Sequence, residues 1–237
     1  MKKILGIALA LLLTHTISFS QRISVDSIFA NYYQATGGKA LWDEVKTYKL
    51  KRSYSAASAT PYDAVIAVSV PDQSIYKSKT IMKKSFEYTV KGDQGWIKVP
   101  LGGKMDVKDL SQAEQQNMKL EMYDNLAPFI NYQERGFIAA TVGTETLNGV
   151  SVNQVELQGR GAKYNLYFDA KTGLLVRQKE NVAGIETVTD FSNYVKSAYG
   201  ILYPSKLVEV NSNDKKPVTI TSTATINEAV SPQLFVR

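Results

Sequence analysis

The chain has no cysteine and a single histidine, His15. Without cysteine there is no disulfide, no thiolate nucleophile and no lipid-modified N-terminal cysteine, so stability has to come from a packed core. The first twenty residues read as an export signal: "MKK" is a short cationic start, "ILGIALALLL" an apolar run, and Ser18 and Ser20 are small residues placed for cleavage before Gln21. The apolar run is too short to span a bilayer, so no permanent membrane anchor is expected. His15 lies inside this segment. The mature chain, residues 21–237, is therefore expected to lack imidazole as well as thiol. That excludes Ser-His-Asp and Cys-His machinery and zinc sites built on those ligands. Carboxylate chemistry, Ser-Lys chemistry and hard-cation sites survive.

Charge of one sign is also scarce in any one place. The formal balance is +6, and pairs such as Lys83–Lys84 and Lys215–Lys216 stand isolated. The basic run or aromatic-spaced basic motif of a nucleic-acid binder is missing. Two "GGK" triplets, Gly37–Lys39 and Gly102–Lys104, lack the spacing and the Ser or Thr of a phosphate loop and read as turns. Ser151 in "NGVSVN" has no second glycine to make a nucleophile elbow.

What is present is mostly period two. From Val45 onward "VKTYKLKRSY", "YDAVIAVSV", "QSIYKSKTI", "SFEYTV" and "GWIKVP" read as short strands between Pro, Gly and Asp-rich turns. A second series runs from "GFIAATVGTETLNG" to "PVTITSTATI", with Asn148-Gly149 marking a tight hairpin. In "YNLYFDAKTGLLVRQKEN", Tyr164, Leu166 and Phe168 share one face. Asp169 opens the turn, Gly173 supplies a positive φ, and simple alternation gives Leu175 and Arg177 a common face on the return strand.

Two helices interrupt the strands. Ser24 caps a first one whose stripe is Val25, Ile28, Phe29 and Tyr32, and "TGG" stops it. Ser111 and Glu114 form a capping box on a second, where Met118, Met122 and Leu126 recur every four residues and Pro128 marks the end. So many antiparallel strands with two helices leave a sandwich or a strongly curved sheet covered by helices. The soft apolar faces of the helices favour the curved sheet. The expected fold is mainly β (α+β): an open, strongly curved antiparallel β-barrel of about eleven strands with two helices over its concave face, as one domain over residues 21–237.

"KGDQGWIKVP" resembles a strand-turn-strand of LolA-like outer-membrane lipoprotein carriers. "YNLYFDAKTGLLVRQ" followed by "TVTDFSNYVKSAYGILYPSKLVEV" more closely resembles the outer-membrane lipoprotein-sorting-like proteins of Bacteroidetes-type bacteria, as does "YYQATGGKALWDEVKTYKLK". The resemblance spans essentially all of residues 21–237. It implies an incomplete barrel in the periplasm whose apolar concave face holds lipid or lipoprotein acyl chains, lidded by helices and served by an envelope protein as donor or acceptor. An arginine on an early strand closes the lid in such carriers, and Arg52 is the candidate here, with Lys51 facing the other way.

On this reading Ile28, Phe29, Tyr32, Met118, Met122, Leu126, Leu166 and Phe168 line the cavity or lid. Such stripes more often mean ordinary core, and Trp96 is either a cavity wall or a hairpin anchor. Asp169, Glu186 and Asp190 are the carboxylates nearest the resemblance, but no spacing selects a catalytic pair. No catalytic residue, metal or cofactor is assigned. Three functions stay open: a carrier, a non-catalytic envelope interaction module whose barrel is filled by its own side chains, and, last, a carboxylate enzyme.

Overall fold

The computed structural model describes residues 23–57 and 59–237. The export-signal reading and His15 lie outside these described residues. The chain opens with helix α1 (Val25–Ala35) and the short α2 (Lys39–Asp43). Ser24 caps α1 by accepting from the Ser27 amide, and Gly37 and Gly38 take φ of +122° and +99° to turn the chain out of it.

Six strands then run as a meander: β1 (Thr47–Ala56), β2 (Ala59–Ser69), β3 (Ser74–Ile81), β4 (Lys84–Lys91), β5 (Gln94–Leu101) and β6 (Lys104–Asp109). Helix α3 (Gln112–Asp124) and a turn-rich segment, 125–137, follow. A second meander comprises β7 (Ile138–Leu147), β8 (Val150–Gly159), β9 (Ala162–Asp169), β10 (Leu175–Val182), β11 (Ile185–Lys196), β12 (Leu202–Asn211) and β13 (Val218–Ile226).

The two meanders join where β1 pairs with β13, giving one antiparallel sheet of 13 strands in the order β6-β5-β4-β3-β2-β1-β13-β12-β11-β10-β9-β8-β7. The sheet is curved and not closed, with β6 and β7 at its two edges. That order dictates the place of α3. The chain leaves one edge at β6 and must re-enter at the other edge at β7, so the connection crosses the concave side. The sheet and its covering helices agree with expectation. The thirteenth strand is β6, which follows the Gly102-Gly103 turn and carries Lys and Asp at an exposed edge, a composition that discourages edge-to-edge pairing. The third helix, α2, is only five residues long.

Alternation sends one set of residues inward. Tyr48, Val68, Ile75 and Val90 form a continuous cross-strand row on the concave side. The other set faces out, where the C-terminal segment crosses the convex side: Phe235 packs on Ala67 and Tyr76, Lys98 donates to the Val236 carbonyl at 2.9 Å, and Arg237 pairs with Asp109 at 2.7 Å. No described helix is long and apolar enough to cross a membrane.

Candidate functional site

The concave side has two parts. Around α1, α2 and segment 125–137 it is filled. Phe29 stacks on Phe129 with centroids 4.4 Å apart, Tyr32 meets Phe129 edge-on at 5.0 Å, and Phe168 meets Phe129 at 5.5 Å. Trp42 donates its indole N–H to the Thr36 hydroxyl at 2.9 Å, and that hydroxyl donates to the Tyr32 carbonyl at 2.7 Å, so these two buried donors are satisfied. Ile28, Phe29, Tyr32, Leu166 and Phe168 all belong to this core cluster, and none is more than 5% exposed.

Beneath α3 the packing is thinner. Met118 and Met122 are the buried residues of the helix, while Leu126 lies beyond its end and is half-buried. The capping box is formed as the sequence indicates: Ser111 accepts from the Glu114 amide, and the Glu114 carboxylate accepts from the Ser111 amide at 2.8 Å. Polar groups fasten the rest. Arg52 donates to the Asn125 side chain at 2.8 Å and to the Asn125 carbonyl at 3.2 Å. Lys77 reaches both oxygens of Glu121 at 2.7 Å, and the Tyr48 hydroxyl donates to the Met122 carbonyl at 2.8 Å. Arg52 thus ties an early strand to the C-terminal end of the covering helix.

Two cavities flank α3 against the wall. One, of about 330 Å³, lies over β10–β12 and β1, with Leu126 in its lining. The other, of about 370 Å³, lies toward β3 and β4 and is lined by Met118. Tyr54, Tyr62, Lys77 and Glu121 line both. A wider concavity of about 880 Å³ sits at the rim, on the side of α3 that carries Leu120 and Tyr123.

The 330 Å³ cavity is not a purely apolar tunnel. Gln178 and Glu180 of β10 and Glu209 of β12 line its wall, and Glu121 and Asp124 face them from the last turn of α3. The Tyr164 hydroxyl donates to Asp124 at 2.7 Å, and Arg135 approaches the other oxygen at 3.8 Å. Burial nevertheless pushes the Asp124 carboxyl up to about 7, outweighing Arg135 and the tyrosine hydrogen bond. Burial, reinforced by the neighbouring Asp124 charge, raises Glu180 to about 7 as well, and Glu209 is raised despite Arg52 and Lys77 nearby.

Simple alternation conceals this wall. Leu175 pairs with Phe168 but Arg177 pairs with Tyr167, so a register shift separates Leu175 from Arg177. Leu175 faces inward with Phe168, whereas Arg177 faces outward and forms a bidentate pair with Asp190. The common face expected for Leu175 and Arg177 is therefore wrong, and the same shift turns Gln178 and Glu180 inward. Trp96 is likewise displaced from the cavity. It pairs with Thr89, which pairs with Tyr76, so it stands in the convex row under the C-terminal segment. Asp169 accepts from the Lys171 and Thr172 amides at 2.7 and 3.0 Å, the turn role its position implies. The remaining acid singled out, Glu186, takes its place in β11 with its amide bonded to the Ser212 hydroxyl.

The same fold occurs in solved structures. A LolA superfamily protein from Nitrosomonas europaea is 11% identical, with 91% of this chain and 98% of that one covered, at a TM-score of 0.59. A domain described as an outer membrane lipoprotein-sorting protein, from Vibrio parahaemolyticus, is 13% identical over 83% of this chain and 92% of that one, at a TM-score of 0.58. No protein-family model and no curated protein matches the sequence. The chain has a LolA-like fold.

Proposed function

We propose that the protein is a non-enzymatic carrier of the cell envelope, exported to the periplasm, that holds a lipid or lipoprotein acyl chain against the concave wall beneath α3. The observation that carries this reading is the way α3 is mounted. It bridges the open side of the sheet on two buried methionines and a few polar contacts, with cavities on both flanks that share three wall residues, Tyr54, Tyr62 and Lys77. Lifting α3 would join the two cavities into one trough. Arg52 and Lys77 would be its latches and Met118, Met122 and Leu126 its adaptable underside. An envelope donor or acceptor protein would meet the chain on that same open side.

The energetics suit reversible transport. About ten buried methylenes, at roughly 0.8 kcal/mol each, give roughly 8 kcal/mol before the costs of binding, a ceiling near micromolar affinity. Release then needs no chemistry, only opening. The second reading, an interaction module with a self-filled barrel, draws on the aromatic packing around Phe129.

Native mass spectrometry separates the two. The protein is expressed from its full chain with export, purified without detergent, and any bound species is extracted and identified. The carrier reading predicts a stoichiometric acyl-bearing adduct. A clean apo mass that stays unchanged after incubation with phospholipid and lipopeptide would contradict it and favour the module.

A further inference from the structure

Neutral acyl binding does not need the wall that faces the end of α3. Gln178 lines the 330 Å³ cavity and is only 5% exposed. Its amide nitrogen donates to Glu180 at 2.8 Å, which leaves its buried Oε1 without a hydrogen-bond partner. Across the cavity the buried Oδ1 of Asp124 makes no hydrogen bond either, but Nη2 of Arg135, itself unpartnered, stands 3.8 Å from it. A buried acceptor without a donor costs about 1–3 kcal/mol, so Gln178 Oε1 marks a place on this cavity where a donor is missing.

The charges point the same way. Of the cations around the cavity, Lys77 is committed to Glu121 and Arg52 to Asn125 through its two terminal nitrogens, its Nε left unpartnered, while Arg135 pairs with Asp124. Glu180 and Glu209 have no ion-pair partner among the described residues. They face the C-terminal end of α3, which carries partial negative charge and has no basic residue in its last turn. Tyr164, directly paired with Glu180 across β9 and β10, already spends its hydroxyl on Asp124.

We propose that this cavity is a head-group site for a protonated amine, so that the ligand is an amphiphile carrying a cationic ammonium group rather than an anionic or neutral one. The inference rests on the acyl-carrier reading above and adds the head group to it. An ammonium offers several N–H donors and a full positive charge. It can donate to Gln178 Oε1 while its charge is balanced by Glu180 and Glu209. Tyr54 and Tyr62, stacked with centroids 4.4 Å apart, line the same cavity beside this polar wall and leave an apolar surface for the chain.

The test is calorimetric titration of the whole protein with three probes of equal chain length, decylamine, decanoate and decyl maltoside, each below its micelle-forming concentration. At pH 8, where Glu180 and Asp124 are ionised, decylamine should bind at least tenfold tighter than decanoate. The margin should shrink at pH 5.5, where both carboxyls are protonated while the alkylamine, like a lysine, keeps its charge. Glu180→Gln should collapse the ratio and Glu180→Asp should keep most of it, with thermal unfolding of each variant as the check on folding. Decanoate binding as tightly as decylamine, or a ratio untouched by Glu180→Gln, would overturn the inference while leaving a carrier in place. If none of the three probes binds, the carrier reading fails and the head-group site with it.

Discussion

The two halves of the concave face solve opposite problems with the same sheet. Under α1 and segment 125–137, six aromatic rings, from Phe29, Tyr32, Tyr33, Trp42, Phe129 and Phe168, interlock through the pairs that centre on Tyr32 and Phe129. Under α3 there are two methionines, salt-linked fastenings and empty volume. Area-dependent burial holds the first half, and it weakens only if the core is cut. Directional contacts hold the second, and each of them water can replace once α3 lifts. One half is a foundation and the other a cover.

Cutting the foundation should have the largest effect. Phe129→Ala removes the ring that Phe29, Tyr32, Tyr33 and Phe168 all touch, and should cost about 3–5 kcal/mol, read as a lower midpoint in urea unfolding. A loss under 1 kcal/mol would mean that the aromatic cluster is not the stabilising half.

The hollow half should instead answer to pH. Asp124 and Glu180 are raised to about 7 in the folded protein, whereas carboxyls in the unfolded chain titrate near 4. Between those values the folded state binds more protons, so stability is highest at and below about pH 4 as far as these two groups are concerned. It is lost as pH rises through 7. The melting temperature should therefore be lower at pH 8 than at pH 5.5, by about 2–4 °C for each kcal/mol involved, and the difference should narrow in Glu180→Gln and Asp124→Asn. A pH difference identical in both variants would place the effect elsewhere.

The smallest change in stability, with the clearest change in kinetics, belongs to Arg52→Leu. Loss of its two hydrogen bonds to Asn125 should cost about 1–3 kcal/mol at most. Uptake of a fluorescent fatty-acid analogue, followed by stopped flow, should become faster. An unchanged uptake rate would remove Arg52 from the role of latch.

The sheet was legible because period two survives along nearly every strand, and because Asn148-Gly149 and Gly173 announce their turns with residues that accept positive φ. Helix α3 was legible from its capping box, and its place over the concave face from its apolar stripe, but that it carries the chain from one sheet edge to the other was not, since that follows from which strands end up at the edges. The filled half could be listed from the α1 stripe, though a stripe does not say whether it meets core or ligand. Phe129, at the centre of that half, sits in an irregular segment with no period to reveal it. The acidic wall was hidden for a different reason. One extra residue between Leu175 and Arg177 inverts the faces of β10, and nothing in "LLVRQKEN" marks the bulge. The two readings of Trp96, cavity wall or hairpin anchor, stayed open because the parity of a short hairpin strand is fixed by its neighbours, not by its own residues.

The contrast between foundation and cover is tested most directly by native-state hydrogen exchange resolved along the chain, with and without decylamine. The amides of α3 should exchange through local opening far faster than those of α1, and the amine should slow α3 while leaving α1 unchanged. Equal protection of α1 and α3, unaffected by the probe, would mean that α3 is a fixed part of the core and that the cavity beneath it does not open.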